Sequence, residues 1–156
     1  MLGNRSMPAS TVIPVLSYPD VGKASLWLCQ AFGLELRLRI ANHRAQLGFG
    51  EGAVVVTELK ADKSMVREDA EQDRPQQFAV MVRVEDVDAH HRRAVLHGAV
   101  ILSEPTSYPY GERQYSCRDP GGHGWTFSQS IADIAPEDWD GIVEDVSGHR
   151  RGVHYD

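Results

Sequence analysis

"DPGGHGWTF", residues Asp119–Phe127, is the stretch whose reading decides how this 156-residue chain folds. Asp-Pro followed by two glycines is turn chemistry: proline fixes one backbone angle and glycine accepts conformations closed to other residues. The "WTFSQ" that continues it (Trp125–Gln129) reads as a strand. Its alternation puts Trp125 and Phe127 on one face, Thr126 and Ser128 on the other. "ERQYSCRD" (Glu112–Asp119) reads as the strand before the turn. The two together are a closing hairpin.

Working outward, "QFAVMVRV" (Gln77–Val84) is a strand. Asp86 caps a helix from about Val87 to His97, Gly98 stops it, and "AVILSE" (Ala99–Glu104) is a further strand. The same order occurs earlier in the chain. "TVIPVL" (Thr11–Leu16) is a strand, and Asp20 caps a helix to about Phe32 with Ala24, Leu28, Ala31 and Phe32 on one face and Trp27 beside them. Gly33 stops that helix. "LELRLRI" and "RAQLGFG" alternate as half-buried strands, with Ala45, Leu47 and Phe49 on one face, and "AVVVTE" follows the turn "GEG". In "IPVLSYPD" and "AVMVRVED" the capping Asp stands seven residues after the first residue. From capping Asp to stopping Gly is 13 residues in the first half and 12 in the second.

An internal repeat is a fold-level signal. It predicts an α+β chain of two βαβββ modules, about 11–58 and 77–129. A mixed-charge linker spans about 59–76 and a tail spans 130–156. Neither unit buries its sheet alone; paired, they make a curved mixed sheet around a cleft with the helices outside, and the cleft is the default ligand site.

Composition narrows the partners. Sixteen Lys and Arg against 22 Asp and Glu leave a net charge of -6. Nucleic acid and anionic membranes require a basic face, so both are set aside. Two isolated cysteines, Cys29 and Cys117, suit a reduced, cytoplasmic protein and read as small buried apolar groups. No stretch approaches the length of a membrane span. His90 and His91 are neighbours on one helix, about 100° apart, and read as a solvent-facing pair. His43, beside Asn42, reads as a turn residue, and no Ser-His-Asp or Cys-His order names a nucleophile.

The module order, with "YGERQYSCRDPGGHGWTFSQ" closing the second half, resembles the vicinal oxygen chelate superfamily: glyoxalase I, bleomycin-resistance proteins and extradiol dioxygenases. The likeness covers about Thr11–Gln129 and is nearest to the bacterial glyoxalase-like branch. In the family's metal enzymes, a His or Gln on each first strand and a Glu on each last strand hold a divalent metal. The first-strand positions fall here on Ile13 and Ala79, and the last position of the second half falls on Thr126. None supplies such a ligand. Glu58 and His123 remain as weak candidates. The resemblance with its ligands missing implies metal-independent binding of a small molecule, in the manner of bleomycin-resistance proteins that sequester a drug. No cofactor is expected, and a homodimer is. The alternative is a glyoxalase-like lyase or isomerase, or a dioxygenase, with a divalent metal in a non-standard site.

If Thr126 takes the former metal position, it faces the cleft. Val15 shares Ile13's face, Met81 shares Ala79's, and Gln46 lies opposite the apolar face of Ala45 and Leu47. These make a largely apolar cavity with a few polar anchors. In "SYPYGER", Tyr108 and Tyr110 either present aromatic faces to a ligand or cover a sheet edge. Arg113 is a candidate partner for an anionic group. The tail packs on its own domain, or offers Trp139 as an anchor to a partner.

Overall fold

The computed structural model describes residues 2–60 and 77–143. Its elements run β1 (Val15–Tyr18), α1 (Val21–Phe32), β2 (Glu35–Ile40), β3 (Arg44–Phe49) and β4 (Gly52–Glu58). They continue as β5 (Ala79–Arg83), α2 (Val87–Leu96), β6 (Val100–Ser107), β7 (Glu112–Arg118) and β8 (Gly124–Ser130). Both βαβββ modules are therefore present. Each forms its own four-stranded mixed sheet, ordered β1-β4-β3-β2 and β5-β8-β7-β6. The first strand of each sheet pairs in parallel with the last, as a helical crossover requires. Most of the expected linker, 61–76, and the end of the tail, 144–156, lie outside the described residues.

The capping residues act as their chemistry dictates. The Asp20 carboxylate accepts from the Lys23 amide, and Gly33 ends α1 at a φ of 78°. The Asp86 carboxylate accepts from the Ala89 amide of α2. β1 begins later than the sequence suggests. Pro14 has no N–H to give, and only its carbonyl joins the ladder, accepting from the Val55 amide at 2.8 Å.

The modules are joined through their helices. α1 and α2 pack against each other, and one apolar cluster takes in residues of both sheets, from Leu16 and Leu47 to Tyr115 and Phe127. Phe32, fully buried at the end of α1, lies 5.1 Å from Trp125 and 4.7 Å from Phe127, ring centre to ring centre. Carbonyls at the end of α1 are met by α2, that of Cys29 in addition to the Gly33 amide it already accepts from. Arg93 donates to the carbonyls of Gln30 at 2.6 Å and Cys29 at 3.1 Å. The Nε2 of His90 meets the Phe32 carbonyl at 2.8 Å.

The DPGGHG turn is a second junction. The buried Asp119 carboxylate accepts from the amides of Gly121 (2.9 Å) and His123 (3.0 Å), from Trp125 Nε1 (3.0 Å) and from the Tyr18 hydroxyl of module one. Burial raises the Tyr18 phenol's pKa, so the hydroxyl keeps the proton that it donates. The turn lies so close to β1 that a Cβ on Gly121 would sit 2.6 Å from the Tyr18 ring. Each sheet thus covers one face with the shared core and helices and turns its other face outward. These two outward faces are the places where a ligand can be met.

Candidate functional site

On module two, strand alternation and register put Met81 and Arg83 of β5, Thr126 and Ser128 of β8, and Glu112, Gln114 and Ser116 of β7 on the outward face. The opposite parity carries Trp125, Phe127, Tyr115 and Cys117, all buried in the core. A polar chain crosses the outward face. The Tyr110 hydroxyl donates to Gln114 Oε1 at 3.2 Å, and Gln114 Nε2 donates to Ser128 Oγ at 3.0 Å. Ser128 in turn donates to Glu112 Oε1 at 2.8 Å. Hydrogen bonds from Ser130 and Ser128, together with the nearby Arg83 charge, hold the Glu112 carboxyl below its ordinary range. Glu112 is thus an oriented anion at neutral pH. Thr126 shares a hydroxyl–hydroxyl bond of 2.8 Å with Ser116, and Met81 stands beside them 65% exposed.

Two hollows meet at this face. One of about 1300 Å³ runs around β5 and lies mainly between the modules, against Pro14, Phe32, Leu47, Phe49, Val84 and His90 among others; Met81, Arg83, Glu112, Gln114 and Ser128 border the part of it that reaches this face. The other, about 480 Å³, lies between Tyr110, Glu112, Ser130 and the chain from Ile131 to Ile134. Glu112 borders both. Tyr108 and Tyr110 stack at 5.4 Å, and Trp139, in a 3-10 turn at Pro136–Trp139, packs edge-on against Tyr110 at 5.8 Å. The described part of the tail therefore folds back onto its own module.

Module one's outward face is different. Val15, Val55 and Gln46 lie in register across it. Val15 is 55% exposed, but Val55 is 1% and Gln46 4% exposed. The amide of Gln46 donates to the Ser6 carbonyl at 2.7 Å, and Arg37 donates to the Arg5 carbonyl at 2.9 Å. The N-terminal segment lies over this face.

Several residues stand elsewhere than the sequence suggests. Arg113 shares the parity of Tyr115 and Cys117, so it points to the helix side. There it forks onto Asp88 of α2, the closest contact being 3.0 Å, and reaches Ser107 at 3.1 Å. It ties β7 to α2 and does not line the outward face. Glu58 pairs in register with Tyr18, whose side chain faces the core, and bonds His43 at 2.9 Å at the strand's exposed end. His123 meets the Ser17 carbonyl at 2.8 Å and lies edge-on to Tyr18, which makes it part of the junction. His90 and His91 are not a solvent-facing pair. His90 is wedged between Phe32, Tyr115 and Phe127, with Nδ1 2.6 Å from the Tyr115 hydroxyl. His91 lies edge-on to Tyr115 and 2.9 Å from Glu104. Burial pushes the Cys117 thiol up to about 12 and also raises Cys29, so neither is a ready thiolate.

The residues present do not fit the divalent metal of the family's enzymes. Ile13 and Ala79 carry no side-chain donor, Thr126 offers a neutral hydroxyl, and Glu58 and His123 are engaged at different places. Among the described residues, no group of three or more His, Cys, Asp or Glu side chains is placed to hold a metal ion.

A family model described as the glyoxalase/bleomycin resistance protein/dioxygenase superfamily matches residues 12–127. The chain belongs to this superfamily. Among solved structures, it is similar to TioX from Micromonospora sp. ML1, at 32% identity over 79% of this chain and 100% of that one, with a TM-score of 0.62. A superfamily member from Burkholderia phytofirmans PsJN is 18% identical over 76% of this chain and 97% of its own, with a TM-score of 0.61. A lactoylglutathione lyase from Agrobacterium tumefaciens is 17% identical over 80% of this chain and 96% of its own, with a TM-score of 0.57. The last two likenesses carry the fold alone. None of the curated proteins matches this chain. No helix among the described residues is long and apolar enough to cross a membrane.

Glu112, Gln114, Ser128, Arg83 and Asp119 escaped the reading by sequence. Alternation from Trp125 and Phe127, which put Thr126 outward, also puts Ser128 outward. Counting back from Cys117 and Tyr115 puts Arg113 inward and Gln114 and Glu112 together on the outward face. Nothing local marks Glu112 as the end of the polar chain, because its partners come from β8.

Proposed function

We propose that this superfamily member binds a small molecule on the outward face of module two and does so without a metal. The observation that carries the reading is the chain Tyr110–Gln114–Ser128–Glu112, which runs between two hollows beside an exposed Met81. It combines an oriented carboxylate, amide and hydroxyl groups and an adaptable apolar wall, the composition of a ligand pocket. Met81, Thr126, Tyr110 and Tyr108 remain ligand candidates, joined by Glu112, Gln114 and Arg83. The donor-poor metal positions and the family's inclusion of bleomycin-resistance proteins support sequestration, as in drug resistance, ahead of catalysis.

The cleft is completed by a second copy. β1 and β5 are each an edge strand of their sheet, and Val15 and Met81 stand exposed on them. Such edges invite pairing with another chain. The two free cysteines suit a reducing, cytoplasmic setting.

The test is calorimetry and thermal shift against a library of drugs and metabolites, with and without chelator. Saturable binding that survives chelation, and weakens about tenfold or more in Glu112→Gln, is the expected result. A stoichiometric metal whose removal abolishes binding would turn the reading to a lyase, isomerase or dioxygenase with a non-standard site. Light scattering reports the dimer.

A further inference from the structure

Module one's outward face carries side-chain donors that hold a covering stretch of chain. We infer that it is a second binding face, for a chain that presents successive main-chain carbonyls from a turn, and that the N-terminal segment Arg5–Ser10 is its built-in occupant. The inference goes beyond the reading of module two and stands or falls without it.

The face is built to read backbone. Between Leu36 and Leu38 the pairing of β2 with β3 slips, and Arg37 is the extra residue that this bulge frees from the register. Arg37 donates both to Gln46 Oε1 and to the Arg5 carbonyl, and Gln46 donates to the Ser6 carbonyl. Two neighbouring side chains thus orient one another and place donors on successive carbonyls. Apolar burial accompanies them. Val55 is 1% exposed, yet it does not belong to the core cluster, and Pro8 is the one buried residue of the segment. Ser10 closes the run by donating to the Glu51 carbonyl at 3.0 Å.

The contacts ask little of the segment's side chains. Arg5, Ser6 and Met7 are exposed, and the segment keeps its shape through its own turn, in which the Ser6 amide donates to Asn4 Oδ1 at 2.9 Å. What is recognised is a pair of carbonyls and one apolar residue behind them. A segment held in this way covers a face that has little else on it, and an outside chain of the same form meets the same donors. Its covalent attachment gives it a high effective concentration, so a competitor succeeds only in excess.

The experiment uses a chain lacking residues 1–10 and a synthetic acetylated peptide of residues 2–10. The expected result is saturable one-to-one binding by calorimetry, weakened about tenfold in the Gln46→Leu version of the truncated chain. Absence of binding by truncated protein with native circular dichroism would overturn the inference, as would equal binding by the Gln46→Leu version. If the truncated chain does not fold, the full-length chain is digested with trypsin, which cleaves after Arg5. An excess of the peptide carrying Arg5→Gln should then speed that cleavage, and an unchanged rate overturns the inference. Neither arm uses module two's ligand, so failure here is separable from failure there.

Discussion

Two outward faces of one repeated module have come to opposite ends. Module one's is covered: Gln46 is buried and donates to the Ser6 carbonyl of the chain's own N-terminal segment, and Val55 beside it is buried as well. Module two's carries no such segment: Met81 is exposed, and although Ser128 is buried, the polar groups are bonded to one another across the strands. Both modules carry the same strand order and the same helix caps. The repeat therefore sets how each sheet is built. What each sheet does depends on residues outside the repeat's pattern.

The comparison holds only while the modules are locked in one body, and the largest expected effect tests that lock. Phe32→Ala removes a fully buried ring that touches Trp27, His90, Trp125 and Phe127, and should destabilise the protein by about 3–5 kcal/mol in urea unfolding. A two-step unfolding curve in its place would mean that the modules stand independently.

Next comes a direct contrast of the faces. Val55→Ala should cost roughly 1–2 kcal/mol through lost burial, although it lies outside the shared core. Met81→Ala, on module two's face, should stay within about 0.5 kcal/mol. Equal costs would break the contrast between the faces. Ligand affinity should follow the opposite order, with Met81→Ala the more damaging.

A pH effect sharpens the account of the junction. Burial, followed by the Arg93 charge, lowers the pKa of His90 from its ordinary 6.5. The folded state thus excludes a proton that the unfolded chain binds, so stability is complete above about pH 6.5 and falls as pH drops below it. His90→Gln should flatten the slope of melting temperature against pH between about 5 and 7. An unchanged slope would remove His90 from that role.

The smallest expected effect belongs to Arg113. Its partner Asp88 and its own guanidinium are partly solvated, and Asp88 is held below the ordinary carboxylate range first by the Arg113 hydrogen bonds. Arg113→Met should leave ligand affinity unchanged and lower the melting temperature slightly. A large loss of affinity would return Arg113 to the ligand face.

Much of this fold is legible in the amino-acid order because its signals are local. Asp20 and Asp86 announce helices through capping chemistry, Gly33 stops one through its backbone freedom, and period-two alternation separates Trp125 and Phe127 from Thr126. The candidate site is less legible. Met81 and Thr126 follow from parity. Arg113, chosen for its chemistry, belongs by parity to the helix side.

What the sequence determined alone is the repeated module, the order of its elements along the chain and the absence of donors at Ile13 and Ala79, since each is a property of one residue or of its near neighbours. Only the tertiary structure decided that His90 is a core residue, that Asp119 joins the modules and that Glu112 ends a polar chain. It also decided that the N-terminus lies over module one's outward face. Those outcomes depend on partners 16 to 101 positions apart in sequence. A group's burial and charge are set by whatever the fold packs against it, and no local pattern carries that information.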